Sequence, residues 1–429
     1  MKAVRALAAL TLLWASALPG SARAAAPVVE LSLSAAGGME RVDGEGLATL
    51  VPRLGIRAGA LQLDLAPPLR MVVFSEAGEF GLRDRDWDAR SEWLRPLERL
   101  SLRTADGSAG VFVSGNAGLT LGRGAVVDGY RPALLPDAFR AGLHAHGRLG
   151  PLGAELFTHD VLAWEVLAMR LAVTPFGGEA PPETGLGSLT LAFDVAADRN
   201  APLAQPSAAT GRSSAPLAIG AAELRMGVLR DARLALGVWM AGGASSHDQQ
   251  FGLGAEAGAV LGWLDAARRR RLLEVSLAPV WASGAWLPGR MDAAYEFERD
   301  RLGGQLDAVD AAGGLGFGLR ARVRAEPLPG LVLRGQARTL PWAPGALDLD
   351  AYAASVRVQN AFAALPGEGL DAELGWMRRP GGIHLMAGSA SWAFWPQLRA
   401  GVRIERALHG ANRRTWDLGL WVSVGLSGL

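Results

Sequence analysis

Trp416-Asp417-Leu418-Gly419-Leu420-Trp421-Val422-Ser423-Val424-Gly425-Leu426 is the stretch that decides the fold. Its even positions are Trp416, Leu418, Leu420, Val422, Val424 and Leu426, and its odd positions are Asp417, Gly419, Trp421, Ser423 and Gly425. Successive side chains of a β-strand point to opposite faces, so one face of this segment is wholly apolar and the other mostly polar or small.

The same alternation extends outward through the chain. Arg399, Arg403 and Glu405 alternate with Leu398, Ala400, Val402 and Ile404, and Glu223 and Arg225 with Ala222, Leu224 and Met226. Gly252, Gly254, Glu256 and Gly258 alternate with Phe251, Leu253, Ala255 and Ala257. Such segments recur from Val28 onward and predict about 20 strands, within a range of roughly 16 to 22. They are too many and too long for one soluble sandwich. The connections fall into two sets. One set, 58–59, 105–108, 150–151, 175–186, 230–232, 264–270, 325–330, 362–368 and 395–397, is mostly short. The other holds the longest loops, at 35–46, 75–97, 122–140, 197–218 and 284–311. Short turns at one end, long loops at the other and an even strand number are the pattern of an outer-membrane barrel. The predicted fold is all-β, a single transmembrane antiparallel up-and-down β-barrel over residues 25–429. Closure follows from the solvent, because an open sheet edge in lipid leaves backbone N–H and C=O groups unsatisfied.

Composition sets the bounds. The 429 residues contain no cysteine, 50% are hydrophobic and 20% charged, with 43 Lys+Arg against 42 Asp+Glu. A disulfide scaffold, a thiolate metal site, a cysteine nucleophile and an acylated-cysteine anchor are excluded. So is a disordered chain. Residues 1–24 read as a signal peptide: Lys2 and Arg5 precede the apolar run Ala6 to Leu18, and Ala22-Arg23-Ala24 supplies the small-x-small cleavage pattern. Lys2 is the sole lysine, so the mature chain carries its cations on arginine.

On these residues the chain resembles bacterial outer-membrane β-barrel proteins, porin-like in size. Asp417-Leu418-Gly419-Leu420-Trp421-Val422-Ser423-Val424 looks like the C-terminal assembly signal of that class, with polar Asp417, then Gly419, then the spaced hydrophobics Val422 and Val424. Members usually finish on an aromatic residue, whereas this chain finishes Gly425-Leu426-Ser427-Gly428-Leu429. The resemblance implies a bacterial outer-membrane location, outer-membrane lipid as surroundings and the barrel-assembly machinery as a partner. It implies no substrate. A barrel of this size encloses a lumen wider than side chains alone can fill. Ser75 to Leu97, Arg123 to Arg140 and Gly284 to Ala311 are each long enough to fold into it.

The densest polar feature is a predicted hairpin. Arg320, Arg322 and Arg324 alternate with Leu319, Ala321 and Val323, and after Pro327-Leu328-Pro329 come Arg334, Gln336 and Arg338. All six share one face, which must be the lumen, since an arginine at the lipid midplane costs roughly 2–4 kcal/mol. They form either a cationic ladder that steers anions, or a wall network paired with Asp371, Glu373, Glu256 or Glu274. A second cluster, His144, His146, Glu155 and His159, flanks the turn at Gly150-Pro151. Register places position 146 opposite 155, 144 opposite 157 and 142 opposite 159, all on the lumen face. Zn²⁺ ligands must converge within about 2.0–2.2 Å of one ion, so residues spread over several registers read first as plain lumen lining.

Two loop groups raise the question of catalysis, since a carboxylate can orient a histidine as a general base. They are Asp84, Asp86 and Asp88, and His159-Asp160 with Ser245-Ser246-His247-Asp248. Their spacing does not map onto that of the omptin surface proteases, and the acids are interspersed with Arg83, Arg85 and Arg90. No enzyme activity is expected. No phosphate loop or nucleotide fingerprint sits between strand and helix, so no cofactor is expected, and the near-neutral charge argues against nucleic acid. Trp263, Trp281, Trp376 and Trp416 lie near predicted strand ends, where aromatic residues anchor at headgroups, while Trp239 lies mid-strand facing the lumen. Two functions remain open. One is a channel for small polar or anionic solutes; the other is a non-conducting anchor or scaffold for an envelope complex, with loops such as Ala201 to Pro216 as partner sites.

Overall fold

The structure, a computed structural model, describes residues 29–427 except 43–44, 76–77, 79, 116–118, 131–138, 178–183, 203–213, 232, 248–249, 266–269, 284–290, 293–315, 329–330, 339–350, 362–368, 380–382, 396–397 and 410–412. The expected signal peptide, 1–24, lies outside the described residues. One antiparallel sheet of 22 strands organises the chain. Its last strand, Arg413–Ser427, returns to its first, Val29–Val42, in register from Ser32↔Ser427 to Arg41↔Leu418. The sheet therefore closes on itself as a barrel.

Two positions in the wall are shared. Leu61–Leu65 and Leu69–Phe74 both pair with Glu45–Ala58, through Leu54↔Leu65 and Leu50↔Leu69, so they form one stave broken at Ala66-Pro67-Pro68. Proline lacks the N–H that the pairing needs. Gly81–Leu82 pairs beside Leu69–Phe74 and Leu97–Arg103 beside Leu61–Leu65, so these two also share a stave. The 22 strands thus occupy about 20 positions, the even number that the alternation predicts. The connections keep the expected asymmetry, with two residues at 59–60 and 150–151 at one end and the long stretches 75–96, 115–141 and 284–315 at the other.

Several boundaries differ from the sequence reading. The loop expected at 35–46 is a tight hairpin, because Val29–Val42 and Glu45–Ala58 stay paired through Ala35-Ala36-Gly37-Gly38. Small residues interrupt apolar alternation without interrupting the backbone pairing. Likewise the loop expected at 197–218 shrinks, since its flanking strands run to Pro202 and resume at Ser214. Ser245, Ser246 and His247 end the strand Leu234–His247 rather than lying in a loop. In the opposite sense, the strand expected over 109–121 stops at Ser114.

The two faces of the wall follow the alternation. Leu33, Met39, Leu50, Met71, Leu171, Phe193, Met240, Leu277, Leu319, Leu374 and Leu420 point outward and are exposed. A water-soluble protein of this size would bury such residues, whereas a barrel in lipid presents them as a band. The wall is uneven in height. Leu234–His247, Gln250–Asp265 and Arg270–Ser283 run for 14, 16 and 14 residues, but Leu97–Arg103, Ala109–Ser114 and Gly142–Leu149 for only 7, 6 and 8. Above these short staves, Leu94, Phe139 and Val161 pack against Val113 and Leu143.

A second, three-stranded sheet lies inside the barrel. Leu119–Thr120 pairs with Val127–Tyr130, and Met291–Asp292 joins Val127–Tyr130 in parallel. Leu119, Leu121, Ala125, Val126, Val127 and Tyr130 pack with inward residues of the wall, among them Phe157, Ala196, Ile219, Ala241, Val260 and Ala278. The described parts of two of the three loops expected to reach inward, Arg123 to Tyr130 and Met291–Asp292, therefore do so. The third, 75–96, closes the rim instead, where Arg70, Arg83 and Arg95 converge on the buried Asp86 Oδ1 at 3.1, 3.1 and 2.9 Å.

Candidate functional site: the inward sheet and its anchors

The turn of the inward hairpin, Leu121 to Val127, is shaped by two glycines. Gly122 and Gly124 have φ of 53° and 76°, a left-handed conformation that glycine adopts without steric cost. The backbone of this turn is held from two strands of the wall, Ser214–Arg230 and Gly316–Leu328. Arg170 Nη1 donates to both oxygens of Asp194 at 2.9 and 2.8 Å, and its Nη2 donates to Glu223 Oε1 at 2.9 Å. The other Glu223 oxygen accepts the Arg123 N–H at 2.9 Å. Arg320 Nη1 donates to the Gly124 carbonyl at 2.9 Å, and Arg322 Nη1 to the Arg123 carbonyl at 2.8 Å.

The remaining charges are balanced locally. Arg320 Nη2 donates to Glu256 Oε1 at 2.5 Å, and the Arg320 guanidinium lies 5.3 Å from the Trp239 ring centroid. Arg322 Nη2 pairs with Asp128, a residue of the hairpin itself. Arg123 Nη1 lies 3.8 Å from Glu274. Breaking a buried ion pair by removing one partner typically costs 3–5 kcal/mol, because a desolvated charge is left behind. Apolar packing and these ion pairs together fix the sheet to one side of the lumen.

The arginine hairpin has the register expected of it: Arg320↔Arg338, Arg322↔Gln336 and Arg324↔Arg334. Arg320, Arg322, Arg324 and Arg334 share the inward face, but they do not act alike. Arg320 and Arg322 are anchors of the inward sheet, whereas Arg324 and Arg334 are exposed. The side chains of Gln336 and Arg338 lie outside the described residues. Glu256, one of the acids named as a pairing partner for this ladder, pairs with Arg320 as expected of a wall network.

The histidine cluster separates. His144↔Phe157 and His146↔Glu155 take the predicted register, and His144 Nε2 lies 3.4 Å from Glu155 Oε2. Phe112 stacks on both His144 and His146, with ring centroids 6.1 and 5.6 Å apart. His159 is not with them, because the strand Leu152–Thr158 ends before it. It is buried at the rim, where its Nδ1 accepts the Val166 N–H at 3.1 Å. Among the described residues no group of three His, Asp or Glu side chains is placed to hold a metal ion. At the same rim, burial pushes the Asp160 carboxyl above the usual carboxylate range although it accepts the Leu162 N–H at 2.7 Å. Asp86, considered above for catalysis, is fully buried among arginines, while Asp84 and Asp88 are exposed.

The proposed assembly signal lies on the strand that closes the barrel, with Gly419↔Glu40, Val422↔Gly37 and Val424↔Ala35, and Asp417↔Glu405 on its other side. Trp239 is inward and buried, as its place in the alternation requires, and it packs beside Gly258, where a β-carbon would meet the indole at 2.9 Å. The sequence reading did not single out Arg170, Asp194, Glu223 or Gly122. Glu223 stands out only as a charge in an apolar strand.

No family model and no curated protein sequence matches the chain. Among solved structures, OccK5 (OpdH) of Pseudomonas aeruginosa aligns over 94% of this chain and 98% of its own, at 12% identity and a TM-score of 0.38. OprD of the same species aligns over 95% and 98%, at 11% identity and 0.38, and OccK3 (OpdO) over 94% and 96%, at 11% and 0.38. These likenesses are too slight to carry a solute or a residue role across. The strand pairing itself establishes the architecture: a closed antiparallel β-barrel of porin-like size with a small sheet folded inside it.

Proposed function

We propose that the protein is a bacterial outer-membrane channel for small polar or anionic solutes, its short turns periplasmic and its long loops extracellular. The supporting observation is the division of the lumen. The inward sheet packs on the wall between Phe157 and Ala278, while inward residues elsewhere, such as Ser32, Arg57, Arg324 and Arg334, stay exposed. A passage lined by fixed guanidiniums attracts anions and offers bidentate contacts. Arg324 and Arg334 are the pair assigned to selectivity, since Arg320 and Arg322 are occupied in holding the sheet.

The test is single-channel recording of the refolded mature protein in a planar bilayer under a salt gradient. Open steps with an anion-selective reversal potential support the channel. Arg324→Gln with Arg334→Gln then shifts that potential toward cations; an unchanged value removes these residues from selectivity. A second reading, a non-conducting scaffold barrel, is favoured by the apolar packing of the inward sheet, which could seal the lumen. A folded, heat-modifiable and electrically silent barrel would establish that reading. Its suggested partner loop, Ala201 to Pro216, is mostly outside the described residues, and Ser214 to Pro216 belong to a strand.

A further inference from the structure

We infer that the short-turn mouth carries a docking arc for a linear polyanion, on the wall of the short staves and away from the inward sheet. Arg57, Arg99, Arg103 and Arg148 all face inward, all are exposed, and all lie within five residues of the short turns at 59–60, 104–108 and 150–151. At about 3.3 Å per residue and a tilt of about 40°, that keeps them within roughly 13 Å of the mouth. They stand on every second stave, Glu45–Ala58, Leu97–Arg103 and Gly142–Leu149, so the cations repeat at about 10 Å around the wall.

The arc is shaped as well as charged. The Arg103 guanidinium is held 4.4 Å from the Phe112 ring centroid, and Arg148 Nε donates to the Gly150 carbonyl at 3.2 Å. Gly110 presents no side chain between Arg103 and His146; a β-carbon there would meet His146 at 2.9 Å and Arg103 at 3.3 Å. Carboxylates stand near three of the four arginines: Glu30 sits opposite Arg57, Asp64 sits opposite Arg99 and accepts the Gln62 amide at 2.7 Å, and Asp106, engaged by Ser108, lies in the turn after Arg103, whereas Arg148 faces Gly153. Glu98 lies 3.9 Å from a fifth arginine, Arg53, and Glu155 faces His144. A single anion meets one guanidinium at this spacing, whereas a chain of linked oxyanions meets two or three at once. That multivalency converts weak contacts into useful affinity.

The inference does not depend on conduction, so its test uses binding alone. Linear polyphosphate and orthophosphate are titrated into the detergent-solubilised full-length barrel, whose folding is checked by heat-modifiable mobility. Polyphosphate should bind at least about tenfold more tightly than orthophosphate and weaken steeply with salt, as counterion release requires. Arg99→Gln, Arg103→Gln and Arg148→Gln together should lose about tenfold, a difference of about 1.4 kcal/mol, and Arg148→Gln alone a part of it. Arg85→Gln with Arg90→Gln, both exposed in the 75–96 loop at the opposite end of the barrel, should leave binding unchanged. The arc is overturned if polyphosphate binds no better than orthophosphate, if the triple variant binds like the wild type, or if the Arg85/Arg90 variant loses as much.

Discussion

Gly122 and Arg170 lie so close that a β-carbon on Gly122 would come within 1.9 Å of Arg170 Nη1 and 2.4 Å of Glu223 Oε2. The absence of a side chain at one position lets the buried Arg170 guanidinium lie against the inward hairpin while Glu223, with which it pairs, accepts the Arg123 N–H.

Gly122→Ala should therefore unseat the hairpin. The left-handed φ alone costs alanine about 1–2 kcal/mol, and displacing a buried ion pair adds about 3 kcal/mol. Trypsin cleavage after Arg123 should accelerate while the wall strands stay resistant. Unchanged proteolysis would mean that the turn tolerates the side chain.

Trp239 tests packing against polarity. Its indole N–H is buried without an acceptor among the described residues. Trp239→Phe keeps a ring beneath Arg320 and removes that unsatisfied donor, so stability should change by less than about 1 kcal/mol. Trp239→Ala leaves a cavity and should cost about 3–5 kcal/mol in urea unfolding. Equal losses in both variants would show that the indole nitrogen has a partner.

Asp86 holds three arginines, so Asp86→Asn leaves buried positive charge uncompensated. A loss of about 3 kcal/mol is expected, expressed as release of the 75–96 loop to trypsin. A variant whose loop stays protected would show that Glu40, which accepts Arg70 Nε at 2.5 Å, and Glu92, which accepts Arg95 Nη2 at 2.8 Å, suffice without Asp86.

Two carboxyls at opposite ends of the barrel should titrate with opposite sign. Asp106 is held at about 2 by the Thr104 hydroxyl and by the Ser108 N–H and hydroxyl. Its folded pKa is depressed, so its contribution is present above the ordinary carboxylate range of about 4 and is lost as pH falls toward about 2. Burial raises Asp160, so its charged form is disfavoured in the folded state and stability declines as pH rises from about 4 through its folded pKa. Asp106→Asn should lower the thermal midpoint at pH 7 and Asp160→Asn should raise it. Both differences should vanish in strong acid; differences of the same sign at pH 7 would contradict the assignment.

Much of this architecture is legible in the sequence because the lipid-facing positions obey a strict period. Trp416 to Leu426, the Arg320 to Arg338 hairpin and the inward Trp239 all follow from alternation and one turn. The inward sheet does not. Leu119 to Tyr130 has no period, and its partners are inward residues that are themselves apolar. The clue was Leu217-Ala218-Ile219-Gly220-Ala221-Ala222, where both faces are apolar. A wall strand without a polar face signals something apolar inside the lumen. The ends of the strands at 35–46 were hidden for a different reason, since pairing through Gly37 and Gly38 needs only backbone.

The seam between Val29–Val42 and Arg413–Ser427 has a consequence for how the molecule is made. Every other wall pairing joins strands close in sequence, whereas this one joins positions such as Gly38 and Trp421, at opposite ends of the chain. Loop-closure entropy makes such a contact slow to form. The seam is thus the final step of folding, and until Arg413–Ser427 emerges, Val29–Val42 keeps a bare edge that invites aggregation. Substitutions along the seam, for example at Gly37 or Gly38, should slow insertion into lipid more than they weaken the finished barrel.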